Sequence, residues 1–148
     1  MKQIETDICI IGGGSGGLSL AAGAVQMGAR VVLFEGGQMG GDCLNSGCVP
    51  SKALLAAAKA AYLANGNAAM GITNTPPNID FAAVKAHVAD VIAQIEPHDS
   101  IARFEALGVT VIPEMAHFTG PRAVSSATHQ VRAKYIVIAS GSQPHQCG

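Results

Sequence analysis

Residues 8–17 read Ile-Cys-Ile-Ile-Gly-Gly-Gly-Ser-Gly-Gly, and this stretch decides the fold. A short apolar run that ends in glycine is typical of a buried parallel strand, so we predict a strand over residues 8–11. The Leu, Ala and Gln residues that follow favour a helix over residues 18–27, with Gly28 as its stop. A second apolar run over residues 31–34 completes a strand–helix–strand unit.

The glycines of this turn have the G-x-G-x-x-G spacing of a dinucleotide-binding loop, at Gly12, Gly14 and Gly17. The first permits a tight turn, the second lets the backbone approach a pyrophosphate, and the third allows the helix to pack closely on the strand. The helix start near Ser15 would direct free N–H groups at the phosphates. Glu35, at the end of the second strand, would accept ribose hydroxyls. This pattern predicts binding of FAD or NAD(P) without choosing between them, and the alternative is a plain tight turn with an exposed Glu.

The chain beyond this unit continues with a glycine-rich loop and two helices. The loop spans residues 36–47 and leads to a predicted helix over residues 49–63, with Pro50 in its first turn, where a missing N–H is tolerated. Apolar residues recur at helical spacing over residues 81–107, which predicts a second long helix that Pro97 is expected to kink.

Strand signals fill the last part of the chain. Residues 109–112 predict a strand, and Val124 and Val131 flank the turn-like residues 125–128, which suggests a small antiparallel meander. One more buried strand is predicted over residues 135–139. Since no linker divides the chain, we predict one α/β domain with a Rossmann-like central parallel sheet, flanking helices and a small β-meander.

The composition excludes several classes of protein. A net charge of −1 with 49% hydrophobic residues argues against disorder and against a nucleic-acid partner. The N-terminus has no export signal, and no segment reaches the roughly 18 apolar residues of a membrane span, so we expect a cytoplasmic protein without a membrane partner. Charged residues are only 13%, against about 25% in typical domains. Either the Ala/Gly-rich composition dilutes them, or further domains or a second subunit cover the surface.

Residues 40–52 read Gly-Gly-Asp-Cys-Leu-Asn-Ser-Gly-Cys-Val-Pro-Ser-Lys. This segment resembles the redox-active segment of the class I pyridine nucleotide–disulfide oxidoreductases, which include dihydrolipoamide dehydrogenase, glutathione reductase and mercuric reductase. The resemblance implies that FAD is the cofactor and that Cys43 and Cys48 form a redox-active pair. It implies that Cys48 faces the flavin as a charge-transfer thiolate, that Cys43 exchanges with the substrate disulfide, and that Lys52 lies beside the flavin ring. Gly36 and Gly41 are further expected FAD contacts.

Helix geometry is compatible with this pairing only if the helix begins late. Five residues apart on a straight helix, two Cα atoms lie roughly 8.6 Å apart, whereas a disulfide tolerates at most about 7 Å. We therefore expect Cys43 in the loop and Cys48 in the first helical turn, where the helix dipole lowers a thiol pKa. The alternatives are a structural disulfide, which is rare in the cytoplasm, and a zinc site. Zinc needs about four ligands, while Cys9 falls in a buried strand and Cys147 beyond the last one, so we predict no metal.

Two further segments support the resemblance. Residues 135–144 resemble the family's second FAD segment, with Ser140 in place of the usual Thr, and residues 115–121 resemble the segment whose backbone contacts the adenine. His117, in the latter, is interpreted as a surface side chain. The expected FAD contacts in these segments are Ala116, Ser140, Gly141 and Ser142.

Asp42 departs from the family pattern, which has Thr at this position. A carboxylate near a pyrophosphate is repulsive, so we expect Asp42 to point away or to bind through water or a cation. This departure suggests a subgroup nearer to mercuric-reductase-like and dihydrolipoamide-dehydrogenase-like proteins.

The predicted function is an FAD-dependent oxidoreductase that passes electrons between NAD(P)H, FAD and a disulfide or dithiol substrate. Dihydrolipoamide dehydrogenase is the first candidate activity and mercuric reductase the second. Because family enzymes are much longer, residues 1–148 are expected to be the FAD-binding domain, with the NAD(P)-binding and dimerisation domains of a homodimer elsewhere and this part inactive alone. The rival hypotheses are a non-catalytic FAD-binding module and a plain NAD-binding Rossmann domain.

Overall fold

The structure, a computed structural model, describes residues 1–142. Gln143 and Pro144 of the second predicted segment, and Cys147, lie outside this range. The elements in chain order are β1 (Lys2–Ile11), α1 (Ser15–Gln26), β2 (Val31–Phe34), α2 (Gly41–Asn45), α3 (Cys48–Ala64), β3 (Gly66–Asn67), β4 (Ile72–Thr73), α4 (Phe81–Ile95), α5 (Ile101–Ala106), β5 (Val109–Ile112), β6 (His117–Gly120), β7 (Ala123–Ser125) and β8 (His129–Ile138).

One mixed sheet organises the chain, with strand order β5-β2-β1-β8-β7-β6. The first four of these strands are parallel, and β7 and β6 continue the sheet as an antiparallel meander from β8. Strands β3 and β4 form a separate small hairpin, which the sequence did not predict. The predicted α/β class, with a mostly parallel sheet, flanking helices and a small meander, is confirmed.

Both faces of the sheet are buried at β2, whose four residues are all apolar and buried. On one face, Ile10 and Leu33 pack under Leu18 of α1 and Phe104 of α5. A second cluster of buried apolar residues lies on the opposite face of the parallel strands and connects them to the meander. Its buried members are Cys9, Val32, Phe34, Ile112, Val124, Val131 and Ala133. The parallel strands are thus fixed from both sides, and their carboxyl ends form a rigid edge.

Glycine permits two close backbone contacts at this edge. An added Cβ on Gly17 would collide with the carbonyl oxygen of Gly12, so α1 can sit directly against the end of β1. Gly12 itself has φ +113°, and a side chain there would collide with the carbonyl of Ala139, just after β8. The helix, the glycine turn and the two central strands are therefore packed backbone to backbone.

The predicted helix over residues 81–107 is not continuous. Helix α4 ends, residues Glu96–Asp99 form a 3-10 turn, and α5 begins afresh. Pro97 lacks the N–H that would continue the helical ladder. Ser100 then caps α5, because its hydroxyl accepts a hydrogen bond from the N–H of Arg103 at 3.3 Å. The expected kink is in fact a break.

Strand β8 unites two segments that were predicted separately. The segment around Val131 and the predicted strand over residues 135–139 form one strand of ten residues, because the equally long β1 pairs with it along its length. The strand predicted over residues 135–139 forms, but the prediction that it is buried is wrong, since Tyr135 is 70% exposed and Ile138 is 68% exposed.

Helices α3 and α4 pack against each other but bury little. Ala53 is the buried residue of α3, and α4 has none among its described side chains. The exposed apolar side chains of the pair include Leu55, Tyr62, Leu63 and Phe81. No helix within residues 1–142 is both long and apolar enough to cross a membrane.

We predict that Gly17→Ala lowers the free energy of unfolding by roughly 1–3 kcal/mol or more, because the new methyl group must displace the Gly12 carbonyl. The matched control is Gly23→Ala in the same helix, where an added Cβ meets nothing within 4 Å. That control is expected to gain about 0.4–1 kcal/mol. Urea unfolding followed by circular dichroism measures both, and equal effects of the two substitutions would contradict the prediction.

Candidate active site

A cleft of about 980 Å³ opens where β1, β2, β5 and β8 end. In open parallel sheets, ligands bind outside the carboxyl ends of the strands. One wall is the glycine turn with the first residues of α1, and the opposite wall contains Met115 and Ala116, which follow β5. Residues Ser140, Gly141 and Ser142, which follow β8, line it as well.

The glycine turn is joined directly to α2. Gly40 donates its N–H to the carbonyl of Gly13 at 2.8 Å, and an added Cβ on Gly41 would lie 2.8 Å from the Cα of Gly14. Gly14 is the N-cap of α1 and provides no side-chain cap. The first N–H groups of a helix have no intrahelical partner, so the positive end of α1 adjoins the cleft.

Glu35 lies in the cleft with its carboxylate held by backbone groups. Its Oε2 accepts the N–H of Gly13 at 2.5 Å, and its Oε1 accepts the N–H of Gly37 at 2.6 Å. Each carboxylate oxygen can accept more than one hydrogen bond. The carboxylate is therefore oriented by the turn and still able to accept a hydroxyl.

Glu114 anchors the segment between β5 and β6. Its Oε2 accepts the N–H of Thr128 at 3.1 Å, and its Oε1 accepts the Thr128 hydroxyl. Hydrogen bonds from the hydroxyls of Ser126 and Thr128 lower the pKa of Glu114 to about 2. This cluster fixes the wall that carries Met115 and Ala116.

Cys43 and Cys48 are brought together by a break between α2 and α3. The carbonyl of Asp42 accepts the N–H groups of Ser46 at 3.0 Å and Gly47 at 2.5 Å, which closes α2 and turns the chain. Cys48 is then the first residue of α3, as expected, whereas Cys43 lies in α2 and not in a loop, which corrects the prediction. The two thiols are free, and Cys48 is near enough to raise the pKa of Cys43.

Charged groups surround the half-buried Cys43. The hydrogen bond with Cys48 raises its pKa above the ordinary value, helped by burial and by Asp99. The charge of Lys52 acts in the opposite direction and lowers the pKa. Lys52 is exposed, one turn beyond Cys48 on α3. Asp99, which the sequence did not predict, lies near the amino end of α2 because the chain breaks after α4.

Residues 6–148 match the family described as pyridine nucleotide-disulphide oxidoreductase. The chain belongs to this family. Similar relatives include a mercuric reductase from Bacillus cereus, 32% identical over 93% of this chain and 22% of the relative. A dihydrolipoyl dehydrogenase from Pseudomonas aeruginosa is 35% identical over 97% of this chain and 32% of the relative. The chain thus spans about a quarter to a third of the length of such relatives.

A solved structure supports the fold of this family member. The Cu(II) complex of the HOCl-induced flavoprotein disulfide reductase RclA from Escherichia coli aligns with a TM-score of 0.77. The alignment covers 95% of this chain and 29% of that one, at 23% sequence identity. At this identity, the likeness concerns the fold alone.

The cleft of this oxidoreductase-family chain gathers most of the residues that the sequence singled out. Those that line it are Gly12, Gly14, Ser15, Glu35, Gly36, Gly41, Asp42, Cys43, Ala116, Ser140, Gly141 and Ser142. Three others do not line it: Gly17 packs against the glycine turn, and Cys48 and Lys52 are exposed on α3. Within residues 1–142, no group of three or more His, Cys, Asp or Glu side chains could hold a metal.

The sequence missed several residues of the cleft. Gln38, Asn45 and Ser46 lie inside the glycine-rich segment, so their place in the chain was the available signal. Asn45 also holds the segment in shape, because its side-chain amide donates to the carbonyls of Met39 at 3.1 Å and Gly41 at 2.8 Å. Glu114 was not predicted, because its partner Thr128 is distant from it in the sequence.

We predict that Cys48→Ala lowers the pKa of Cys43 in the reduced protein, because it removes the hydrogen bond that raises this pKa. Alkylation of Cys43 by iodoacetamide then reaches its thiolate plateau at a lower pH. Peptide mass spectrometry across a pH series measures the midpoint. Lys52→Gln is the comparison, and it should shift the midpoint upwards. A midpoint that stays fixed or rises in Cys48→Ala would refute the assignment.

Proposed function

We propose that this chain is the FAD-binding part of a dihydrolipoamide-dehydrogenase-like oxidoreductase, which transfers electrons between NAD(P)H, FAD and the Cys43–Cys48 pair. The observation that carries the proposal is the placement of the two cysteines on adjoining helices, with Cys43 in α2 lining the large cleft and Cys48 at the start of α3. Two neighbouring cysteines, next to a dinucleotide-type glycine turn, suit a family of disulfide oxidoreductases.

The residues of the cleft fit FAD. Its volume of about 980 Å³ is at the upper end of ordinary cofactor sites. Gly14 leaves open space where a side chain would stand, since an added Cβ there meets only the Cα of Gly41 at 3.8 Å. The amino end of α1 and the oriented Glu35 suit a diphosphate and a ribose. When bound, FAD supplies two-electron chemistry that links a nicotinamide to a disulfide.

The cysteine pair would act by thiol–disulfide exchange. The Cys43 thiolate attacks a substrate disulfide, a mixed disulfide forms, and one substrate thiolate leaves. Cys48 then attacks Cys43, the Cys43–Cys48 bond forms, and the second substrate thiolate leaves and takes up a proton. The substrate disulfide is reduced by two electrons, and the cysteine pair is oxidised by two. Lys52 contributes by favouring the Cys43 thiolate.

The proposal extends to the cofactor, substrate and assembly of the whole protein. NAD(P)H would bind a separate domain, the substrate would be a small or protein-bound disulfide or dithiol, and the whole protein would be a cytoplasmic homodimer. The expectations of a nicotinamide cofactor and a disulfide substrate are supported by the family to which the chain belongs.

A mercuric reductase is the second candidate, because relatives with that name from Bacillus cereus and Streptomyces lividans are 32% and 36% identical. Two neighbouring thiols are also suitable ligands for a soft metal ion. In a full-length protein that contains this chain, NADH-driven reduction of lipoamide against NADPH-driven reduction of Hg(II) separates the two activities.

We predict that the wild-type chain binds FAD and that Gly14→Ala weakens this binding at least roughly tenfold, because its methyl group fills space that the diphosphate needs. Quenching of flavin fluorescence measures the dissociation constant. Gly23→Ala, on the same helix and remote from the cleft, is expected to bind like the wild type. Equal affinities for wild type and Gly14→Ala would place FAD elsewhere, and no binding in any variant would refute the cofactor.

We predict that mild oxidation of the chain forms an intramolecular Cys43–Cys48 disulfide, with the loss of two hydrogen masses. Peptide mapping should recover the two cysteines in one linked product, and Cys43→Ser or Cys48→Ser should abolish it. Cys9 is the internal control, because burial raises its pKa to about 12 and keeps it unreacted. A product that links either cysteine to another partner instead would contradict the pairing.

A further inference from the structure

The charges that line the cleft have one sign. Three acidic residues, Glu35, Asp42 and Glu114, line it, and no Lys, Arg or His from residues 1–142 does. A dinucleotide would bring a negatively charged diphosphate into this space. Each carboxylate must therefore be balanced by local donors, or it repels the ligand.

Two of the three carboxylates are balanced. Glu35 accepts the N–H groups of Gly13 and Gly37. Glu114 accepts the N–H and hydroxyl of Thr128, so that its charge is directed into the β5–β6 wall. Backbone and hydroxyl donors of this kind stabilise a carboxylate without any cationic side chain.

Asp42 is the exception. This residue is exposed, and its carboxylate accepts a long hydrogen bond from the Ser46 hydroxyl, at 3.4 Å to Oδ1. None of the ion pairs within residues 1–142 includes it. It directly follows Gly41, whose backbone touches Gly14 at the start of α1. The unbalanced charge is thus held next to the turn where a diphosphate would lie.

We propose that Asp42 limits the affinity of the cleft for FAD, because its charge opposes the diphosphate unless ions from solution screen it. The proposal rests on the proposed FAD site and adds the residue that weakens it. Asp42 acts against the positive end of α1, which attracts the same diphosphate. A neutral residue of the same shape leaves the attraction and removes the repulsion.

Salt distinguishes this electrostatic role from a role in shape. The Debye length is about 10 Å at 0.1 M salt and about 3 Å at 1 M, so repulsion across a solvent-exposed cleft is strong at low salt and weak at high salt. The gain from neutralising Asp42 should therefore shrink as salt is added. A gain that comes from shape would be independent of salt.

The test measures FAD dissociation constants at low and high NaCl for the wild-type chain, Asp42→Asn and Asp42→Glu. Asp90→Asn, which removes an exposed carboxylate from α4, is the matched control. At about 20 mM salt we expect Asp42→Asn to bind FAD roughly tenfold tighter than the wild type, and at about 500 mM only two- to threefold tighter. Asp42→Glu and Asp90→Asn should stay close to the wild type at both concentrations.

Three results would overturn the proposal: no gain in Asp42→Asn, a gain that salt does not reduce, or an equal gain in Asp42→Glu. Binding by Asp42→Asn alone would support it. If all variants keep the wild-type circular dichroism spectrum and none binds FAD, then the proposed cofactor fails and this inference fails with it. That outcome is distinct from normal FAD binding that is indifferent to Asp42.

Discussion

Contact between bare backbone segments at the carboxyl end of β1 is the constraint on which the rest of the structure depends. Gly17 lets α1 touch the carbonyl of Gly12, and Gly12 lets the turn touch the carbonyl of Ala139. Gly41 brings α2 against the same turn. Side chains could not be added at these points without moving whole elements. The walls of the cleft are therefore set by main-chain contacts, which leaves the cleft open for a ligand.

Main-chain contacts also place the two cysteines near each other. The carbonyl of Asp42 ends α2 by accepting two N–H groups, and an added Cβ on Gly47 would lie 2.9 Å from this carbonyl. A straight helix through the segment would hold the two sulfur atoms apart. The short α2, which looks like a minor element, is what allows a thiol on the cleft to meet a thiol at the start of α3.

Local signals made the first part of the fold predictable. The apolar runs before Gly12 and Glu35, with the glycine spacing between them, define the strand–helix–strand unit without any distant contact. Predictions from the sequence failed where tertiary contacts determine the ends of a strand or helix. Strand β8 is continuous because β1 pairs along all of it, and α5 is separate because Ser100 caps it after Pro97.

The candidate site shows the same division. The motifs located the glycine turn and the cysteines, because the residues that define each of them are close together in the sequence. They could not show that Glu114 would be held by Thr128, or that Cys43 would lie in a short helix, α2. The sequence marked Asp42 as a departure, but only the three-dimensional arrangement shows that it lines the cleft.

Cys9 has a consequence of a different kind. It is fully buried in β1, which is paired on both sides, and it belongs to a cluster of buried apolar side chains. A reagent can reach this sulfur only when the central strand leaves the sheet, so the rate of its labelling in the native state reports global opening. The labelling of this one native cysteine therefore measures the folding equilibrium of the sheet without any introduced probe.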